Sequence, residues 1–127
     1  MTIDERPVVA RDRLRMEAER GMEELIGSTV FLRRQLVTQE AVCRKVLSDV
    51  QDDVPVGCLL QEVHADTWRP ALTEAIKGFE IVRHRVRLVL VAMAIDEGMS
   101  IADIAKHWGV SRQLASRWVQ ECVAARE

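Results

Sequence analysis

The sequence contains few aromatic residues and no tyrosine. Its 127 residues include three tryptophans and two phenylalanines, an aromatic fraction of 4%. The strict alternation of apolar and polar residues that marks half-buried strands is also absent throughout. Helix-forming residues such as Ala, Leu, Glu, Arg and Met abound instead. These features predict an all-α protein, and an apolar content of 48% is enough for a hydrophobic core at this length.

Cysteine is scarce as well. Cys43, Cys58 and Cys122 have no metal-ligand spacing and do not make an even set for disulfides. The three histidines are widely separated, and the sequence has no glycine-rich phosphate loop and no nucleophile elbow. We therefore expect no metal, no cofactor and no enzymatic activity.

A strong excess of charge is missing too. The formal net charge of −2 argues against a protein that coats DNA regardless of sequence, because such binding depends on cations that neutralise phosphates. Sequence-specific binding is compatible with this charge. From Ser100 onward, four cations stand against three anions, so the C-terminal segment is slightly basic.

Long hydrophobic runs are absent. The most apolar stretch, Leu88–Ile95, is too short to span a membrane. The segment Met1–Pro7 is polar and charged, without the basic start and apolar centre of a secretory signal. We expect a cytoplasmic protein with no membrane partner.

The stretch from Gly98 to Gln120 has the pattern of a helix, a tight turn and a second helix. Gly98 can end a preceding helix in the left-handed conformation, and Ser100 can cap the helix that follows. Gly109 suits the turn, and Ser111 can cap the second helix. Both short helices therefore have their end signals in the sequence.

Each of these two helices has apolar residues at helical spacing on one side. In the first helix they are Ile101, Ile104, Ala105 and Trp108. In the second helix they are Leu114, Ala115, Trp118 and Cys122. We predict that both tryptophans point inward and fill the core.

The other side of the second helix carries side chains that can hydrogen-bond to bases. Arginine can donate two hydrogen bonds to guanine, glutamine can pair with adenine, and serine suits a base or a phosphate. With one lysine of the first helix, the predicted DNA-binding residues are Lys106, Ser111, Arg112, Gln113, Ser116, Arg117 and Gln120. A solvated helix face could carry the same residue types.

Two small residues of this motif, Ala105 and Gly109, are four positions apart. They are flanked by the apolar residues Ile104, Val110 and Trp118. The pattern resembles that of bacterial helix-turn-helix DNA-binding proteins over about residues 84–126. The segments Met99–Ile101 and Gly109–Arg117 are especially similar to small helix-turn-helix proteins of actinomycetes. The resemblance implies that the second helix enters the major groove as a recognition helix.

The N-terminal part of the chain predicts one long helix, Val8–Val50, or two pieces meeting near Gly21 or at Gly27–Thr29. Its apolar stripe advances in alternating steps of three and four, as in a bundle or coiled coil. The stripe is Leu25, Thr29, Leu32, Leu36, Gln39, Cys43, Val46 and Val50, interrupted by the polar Thr29 and Gln39. Its partner is either a later helix of the same chain or the same helix of a second copy.

A break is predicted at Asp52–Gly57, because Pro55 lacks an amide donor and disfavours helical angles at the residue before it. The break divides the chain into a support and oligomerisation segment, residues 1–53, and a helical domain, residues 56–127. The helical domain carries the helix-turn-helix at residues 84–126.

A long helix is predicted from Pro70 to Glu97, with Asp66 or Thr67 as its cap and Pro70 in its first turn. Its last third, Leu88–Ile95, is apolar on all sides, so two elements must cover it. We expect the helix-turn-helix to cover one side and the N-terminal helix, from this copy or another, to cover the other. The preceding basic run, from Arg83 to Arg87, could contact phosphates or pair with Glu80 and N-terminal carboxylates.

The predicted architecture is a long N-terminal helix, or helices, packed on a C-terminal tri-helical unit. The predicted function is sequence-specific binding of double-stranded DNA by a homodimeric transcription regulator. A protein-interaction module with the same tri-helical fold and no DNA contact is the alternative.

Overall fold

The computed structural model describes the backbone of residues 5–126 and the side chains of residues 10–126, so Met1–Asp4 and Glu127 lie outside the described residues. Within that part of the chain there are five helices and no strand. They are α1 (Glu5–Gln51), α2 (Val56–Val63), α3 (Ala65–Asp96), α4 (Ile101–Trp108) and α5 (Arg112–Arg126). The prediction of an all-α protein with a long N-terminal helix is confirmed.

The chain groups into two compact units. Unit 1 combines the chain up to Glu24 with the chain from Val82 onward, and unit 2 is Leu25–Ile81. Helices α1 and α3 are long enough to contribute one part to each unit. The division into an oligomerisation segment, residues 1–53, and a recognition domain, residues 56–127, stays a prediction.

The core of unit 1 lies where the end of α3 meets α4 and α5. Val91 and Ile104 have no solvent-exposed surface, and each contributes about 1.5–3 kcal/mol by burial. Around them lie the other buried members of the cluster: Ala94, Ala105, Ala115, Trp118 and Cys122. The inward stripe predicted for the second short helix, now α5, is confirmed. Of the stripe predicted for the first short helix, now α4, Ile104 and Ala105 are buried.

The first part of α1 covers another side of α3 in unit 1. Leu14 is buried and borders the same small cavity as Ala92 and Ile95 of α3. At Gly21 the two helices approach so closely that an added Cβ would lie 3.0 Å from Cγ2 of Val86. An N-terminal helix therefore covers the apolar end of α3, as predicted, and it is the helix of the same chain.

In unit 2, α1 continues as one helix without a break at Gly27. Its half-buried and buried side is Leu25, Ser28, Leu32, Gln35, Gln39, Val42, Val46 and Asp49. The predicted stripe is right at four of these positions, but its other members, Thr29, Leu36, Cys43 and Val50, are exposed. Each lies one residue further along, about 100° around the helix. Apolar residues occupy two adjacent sides of α1, so helical spacing alone did not identify the covered side.

The predicted break after α1 is confirmed, but the start of α3 is not where it was predicted. α3 begins at Ala65, directly after His64, whose φ of 49° is left-handed. Asp66 and Thr67 therefore lie inside the helix rather than at its cap, and Pro70 lies beyond the first turn. The Trp68 indole donates to the Val63 carbonyl at 2.9 Å and so ties the end of α2 to the start of α3.

Over residues 5–126, no helix has both the length and the apolar content needed to cross a lipid bilayer. In the same part of the chain, no three His, Cys, Asp or Glu residues gather as ligands for a metal ion.

Candidate nucleic-acid interface

The ends of the two short helices have the caps that the sequence predicts. The Ser100 hydroxyl oxygen accepts from the amide of Asp103 at 3.1 Å, which satisfies one free donor at the start of α4. Gly109 ends α4 with a φ of 70°, and Gly98 ends α3 with a φ of 90°. The amide of Val110 then donates to the Ala105 carbonyl at 3.0 Å, closing a Schellman turn around Gly109.

The second helix is capped by Ser111. Its hydroxyl oxygen accepts from the Leu114 amide at 3.1 Å, and its carbonyl accepts from the Ala115 amide at 3.1 Å. These bonds fix where α5 starts relative to the turn. The side chains of the first two turns of α5 consequently have defined positions on its outer face.

We expect Gly109→Ala to lower the free energy of unfolding by about 1–2 kcal/mol, because a residue with a Cβ is strained at a φ of 70°. An added Cβ meets nothing within 4 Å, so the effect is conformational only. Chemical denaturation followed by circular dichroism measures it.

Gly27→Ala is the matched control for Gly109→Ala. An added Cβ at Gly27 also meets nothing within 4 Å, but Gly27 lies inside α1. Alanine there should stabilise the protein by up to about 1 kcal/mol. Changes of the same sign at the two glycines would contradict the role given to the turn.

The outer face of α5 is open to solvent. Arg112, Gln113, Arg117 and Gln120 are exposed and Ser116 is half-buried. These five side chains, together with Ile101 of α4, line one open depression of about 430 Å³. The structure thus brings together five of the seven predicted DNA-binding residues. Lys106 and Ser111 are exposed but do not line this depression.

The guanidinium groups on this face have no partner in the described part of the chain. Three other arginines of unit 1 do have one: Arg11 pairs with Asp96 at 3.5 Å, Arg85 with Glu24 at 3.0 Å, and Arg126 with Glu17 at 3.0 Å. Within the described residues, the side chains of Arg112 and Arg117 make no hydrogen bond or ion pair. Their guanidinium donors are therefore available to a ligand.

A chain of polar contacts joins the inner side of α5 to α3. The Arg87 guanidinium lies 4.7 Å from the centroid of the Trp118 ring and donates to Nδ1 of His84 at 3.1 Å. Because a guanidinium can only donate, Nδ1 is the acceptor and Nε2 carries the proton in neutral His84. Nε2 donates to Glu121 at 2.7 Å.

Two members of the basic run have partners within the protein. Arg85 pairs with Glu24, one of the N-terminal carboxylates, so for Arg85 the structure supports the alternative of pairing. Arg87 bonds to His84, a partner that neither alternative named. The spacing of His84 and Arg87, three residues apart on one helix, indicated their proximity. Nothing in the sequence indicated that Glu121 would join them from α5.

Trp108 does not lie inside the core as predicted. Its residue surface is 37% exposed, whereas Trp118 is 5% exposed. The ring of Trp108 packs edge-on against Trp118, with the centroids 5.9 Å apart and the planes at 70°. Trp108 is the last residue of α4, directly before the turn at Gly109.

The buried cysteine of α5 has a structural role. Cys122 donates its thiol to the Leu88 carbonyl at 2.9 Å, and burial raises the pKa of this thiol. The thiol therefore stays protonated and unreactive at neutral pH. Cys43 and Cys58 are exposed, and no disulfide forms.

Comparison with known proteins identifies the same part of the chain. Residues 82–122, about a third of the sequence, match the family model of a homeodomain-like domain. The match covers the second part of α3, all of α4 and most of α5, and it supports a helix-turn-helix DNA-binding family. No match to the chain was found among curated proteins or among solved structures. The similarity to actinomycete proteins in particular stays a prediction.

Proposed function

We propose that this protein binds double-stranded DNA in a sequence-specific manner through α5 and regulates transcription as a homodimer in the cytoplasm. The observation that carries the proposal is the row of unengaged, exposed Arg and Gln side chains on a capped helix whose opposite side is buried. Unpaired guanidinium groups on an open helix face match the donors that read guanine in the major groove. No catalytic role is assigned to any residue.

In this proposal each side chain has a defined task. Arg112 and Arg117 read guanine, while Gln113 and Gln120 read adenine, because their donor and acceptor groups match those base edges. Ser116 contacts a base, and Ser111 lies near a phosphate. Lys106 on α4 contacts the phosphate backbone and adds affinity that is independent of sequence.

A single copy offers few cations at the proposed interface, namely Lys106, Arg112 and Arg117, and the net charge of the chain is −2. Two copies related by a two-fold axis would double the contacts and read two half-sites. Recognition helices of such dimers enter the major groove about one helical turn apart, roughly 34 Å. The proposed DNA site is therefore palindromic or nearly so.

A protein-interaction module without DNA contact is the second candidate. It is favoured by the weak charge and by large apolar side chains that unit 2 exposes, among them Ile26, Val37 and Leu47. Patches of this kind are typical of protein interfaces. The open face of α5 is not explained by this candidate.

We expect the affinity for duplex DNA to fall steeply with salt, because each phosphate contact adds about −0.9 to the slope of log K against log salt. Titration of a labelled duplex pool between about 50 and 200 mM salt should show a loss greater than about tenfold. A failure to bind any duplex at low salt, while a stable complex with another protein is recovered, would support the second candidate instead.

A further inference from the structure

Helix α1 has a second apolar side within unit 2 that the described part of the chain does not cover. The outer stripe, as we call it, is Ile26, Thr29, Arg33, Leu36, Glu40, Cys43, Leu47 and Val50, all of them exposed. Ile26 is 61% exposed, Leu47 is 58% exposed and Val50 is 59% exposed. Val37, which is 62% exposed, lies beside Leu36 at the middle of the stripe.

The outer stripe has the spacing of a helix-packing surface. Its residues advance in alternating steps of three and four, and from Ile26 to Val50 they extend over about 36 Å of helix. The adjacent side of α1, from Leu25 to Asp49, is already half-buried or buried within the chain. A helix with apolar residues on two adjacent sides is typical of a bundle that contains more than one neighbouring helix.

We propose that the outer stripe is covered by the outer stripe of a second copy of this chain, with the two α1 helices antiparallel. The proposal rests on the dimer of the proposed function and adds its interface and orientation. It places the two-fold axis between Leu36 and Val37. It does not depend on whether α5 binds DNA.

The order of charges along the outer stripe is the argument for a second copy. When the stripe is reversed about the point between Leu36 and Val37, Arg33 faces the partner's Glu40, and Glu40 faces the partner's Arg33. The two-fold axis therefore makes both ion pairs from one pair of residues. Glu40 keeps its contact with Arg44, 3.6 Å away on its own helix, as an additional neighbour.

Two apolar residues of the outer stripe obey the same reversal. Ile26 and Leu47 stand equally far from the midpoint, so Ile26 of each copy faces the partner's Leu47. At the centre, Leu36 faces the partner's Val37, which lies beside the stripe. A parallel pair would instead place Arg33 against the partner's Arg33 and Glu40 against the partner's Glu40. Like charges opposed in this way disfavour that orientation.

Charge reversal tests the orientation. We expect Arg33→Glu or Glu40→Arg alone to raise the dimer dissociation constant about tenfold or more, because two attractive pairs become two repulsive ones. The double variant R33E/E40R should restore dimerisation, because it exchanges the charges and re-forms both pairs. Sedimentation analysis over a concentration series of the full chain measures each dissociation constant.

Arg34→Glu is the matched control. Arg34 is exposed and adjacent in sequence, but it lies off the outer stripe, so the same charge change should leave the dissociation constant within about twofold. Circular dichroism should be unchanged in all four variants, since every substituted side chain is exposed. Failure of the double variant to recover, with its helix content intact, would overturn the antiparallel arrangement.

Cross-linking gives an independent readout. In a chain with Cys43→Ser and Cys58→Ser, protein carrying Ile26→Cys is mixed with protein carrying Leu47→Cys and oxidised. The expected product is the mixed disulfide between positions 26 and 47. Abundant 26-to-26 and 47-to-47 disulfides would instead show a parallel pair and refute the proposal.

The outcomes separate this inference from DNA binding. A chain that stays monomeric at all concentrations would overturn both this interface and the homodimer of the proposed function. DNA binding by α5 would then be tested separately. Conversely, an antiparallel dimer that binds no duplex would support this inference and count against the proposed function.

Discussion

Replacing Trp118 with alanine is expected to lower the free energy of unfolding by about 3–5 kcal/mol. Trp118 is 5% exposed and lies in the cluster with Val91, Ile104 and Cys122, so its removal leaves a large cavity between α3, α4 and α5. It also removes the edge-on contact with Trp108 and the ring over which Arg87 lies. Because domains of this size are stable by only about 5–15 kcal/mol, we expect the helix-turn-helix to be largely lost well below the wild-type denaturation midpoint.

Trp108→Ala provides the comparison for this experiment. The two variants delete the same side chain and lose the same ring-to-ring contact, but Trp108 is 37% exposed. We expect it to cost less than half as much as Trp118→Ala. Urea denaturation followed by far-ultraviolet circular dichroism is suitable, since tryptophan fluorescence itself changes in both variants. Equal losses for the two variants would show that Trp118 is not the centre of this core.

Arg117→Ala is expected to weaken binding to the preferred DNA site by about 1–3 kcal/mol, or about 5- to 150-fold, and to relax the preference at one base pair. Its guanidinium lies on the open depression of α5 with no partner in the described part of the chain, so its donors are available to a base. Stability should be almost unchanged because the side chain is exposed. Binding of a randomised duplex pool, followed by sequencing of the bound fraction, measures both effects.

Two further variants show what the Arg117 result means. Lys106→Ala should weaken all sequences alike, because a phosphate contact carries no sequence information. Arg126→Ala should leave DNA affinity unchanged, because Arg126 lies at the other end of α5 and pairs with Glu17 at 3.0 Å. A uniform loss on every sequence for Arg117→Ala would reassign this side chain to a phosphate.

The features that sequence predicted well depend on near neighbours in the chain. Ser100 and Ser111 cap their helices through bonds to amides three residues away, and Gly98 and Gly109 adopt left-handed angles that other residues resist. These interactions need no distant partner. The positions of both short helices could therefore be predicted from a few residues.

Features that need a distant partner were predicted less well. The contacts of His84 depend on Glu121, 37 residues away. The two tryptophans of the helix-turn-helix have the same residue type and both fit an inward stripe. Only the position of the neighbouring helices separates the buried ring from the half-open one.

By itself the sequence determined the helical class and the caps and turn of the helix-turn-helix. It also determined which polar residues lie on the outer side of the second helix. All of these features follow from residue spacing and local hydrogen bonds. The tertiary structure alone decided which side of α1 is covered within the chain and which arginines are already paired. Both depend on side chains far apart in sequence. As a result, Arg85 and Arg126 form ion pairs with carboxylates, whereas Arg112 and Arg117 have no partner in the described part of the chain. For the same reason the outer stripe of α1 is exposed, although the adjacent side of the helix is covered.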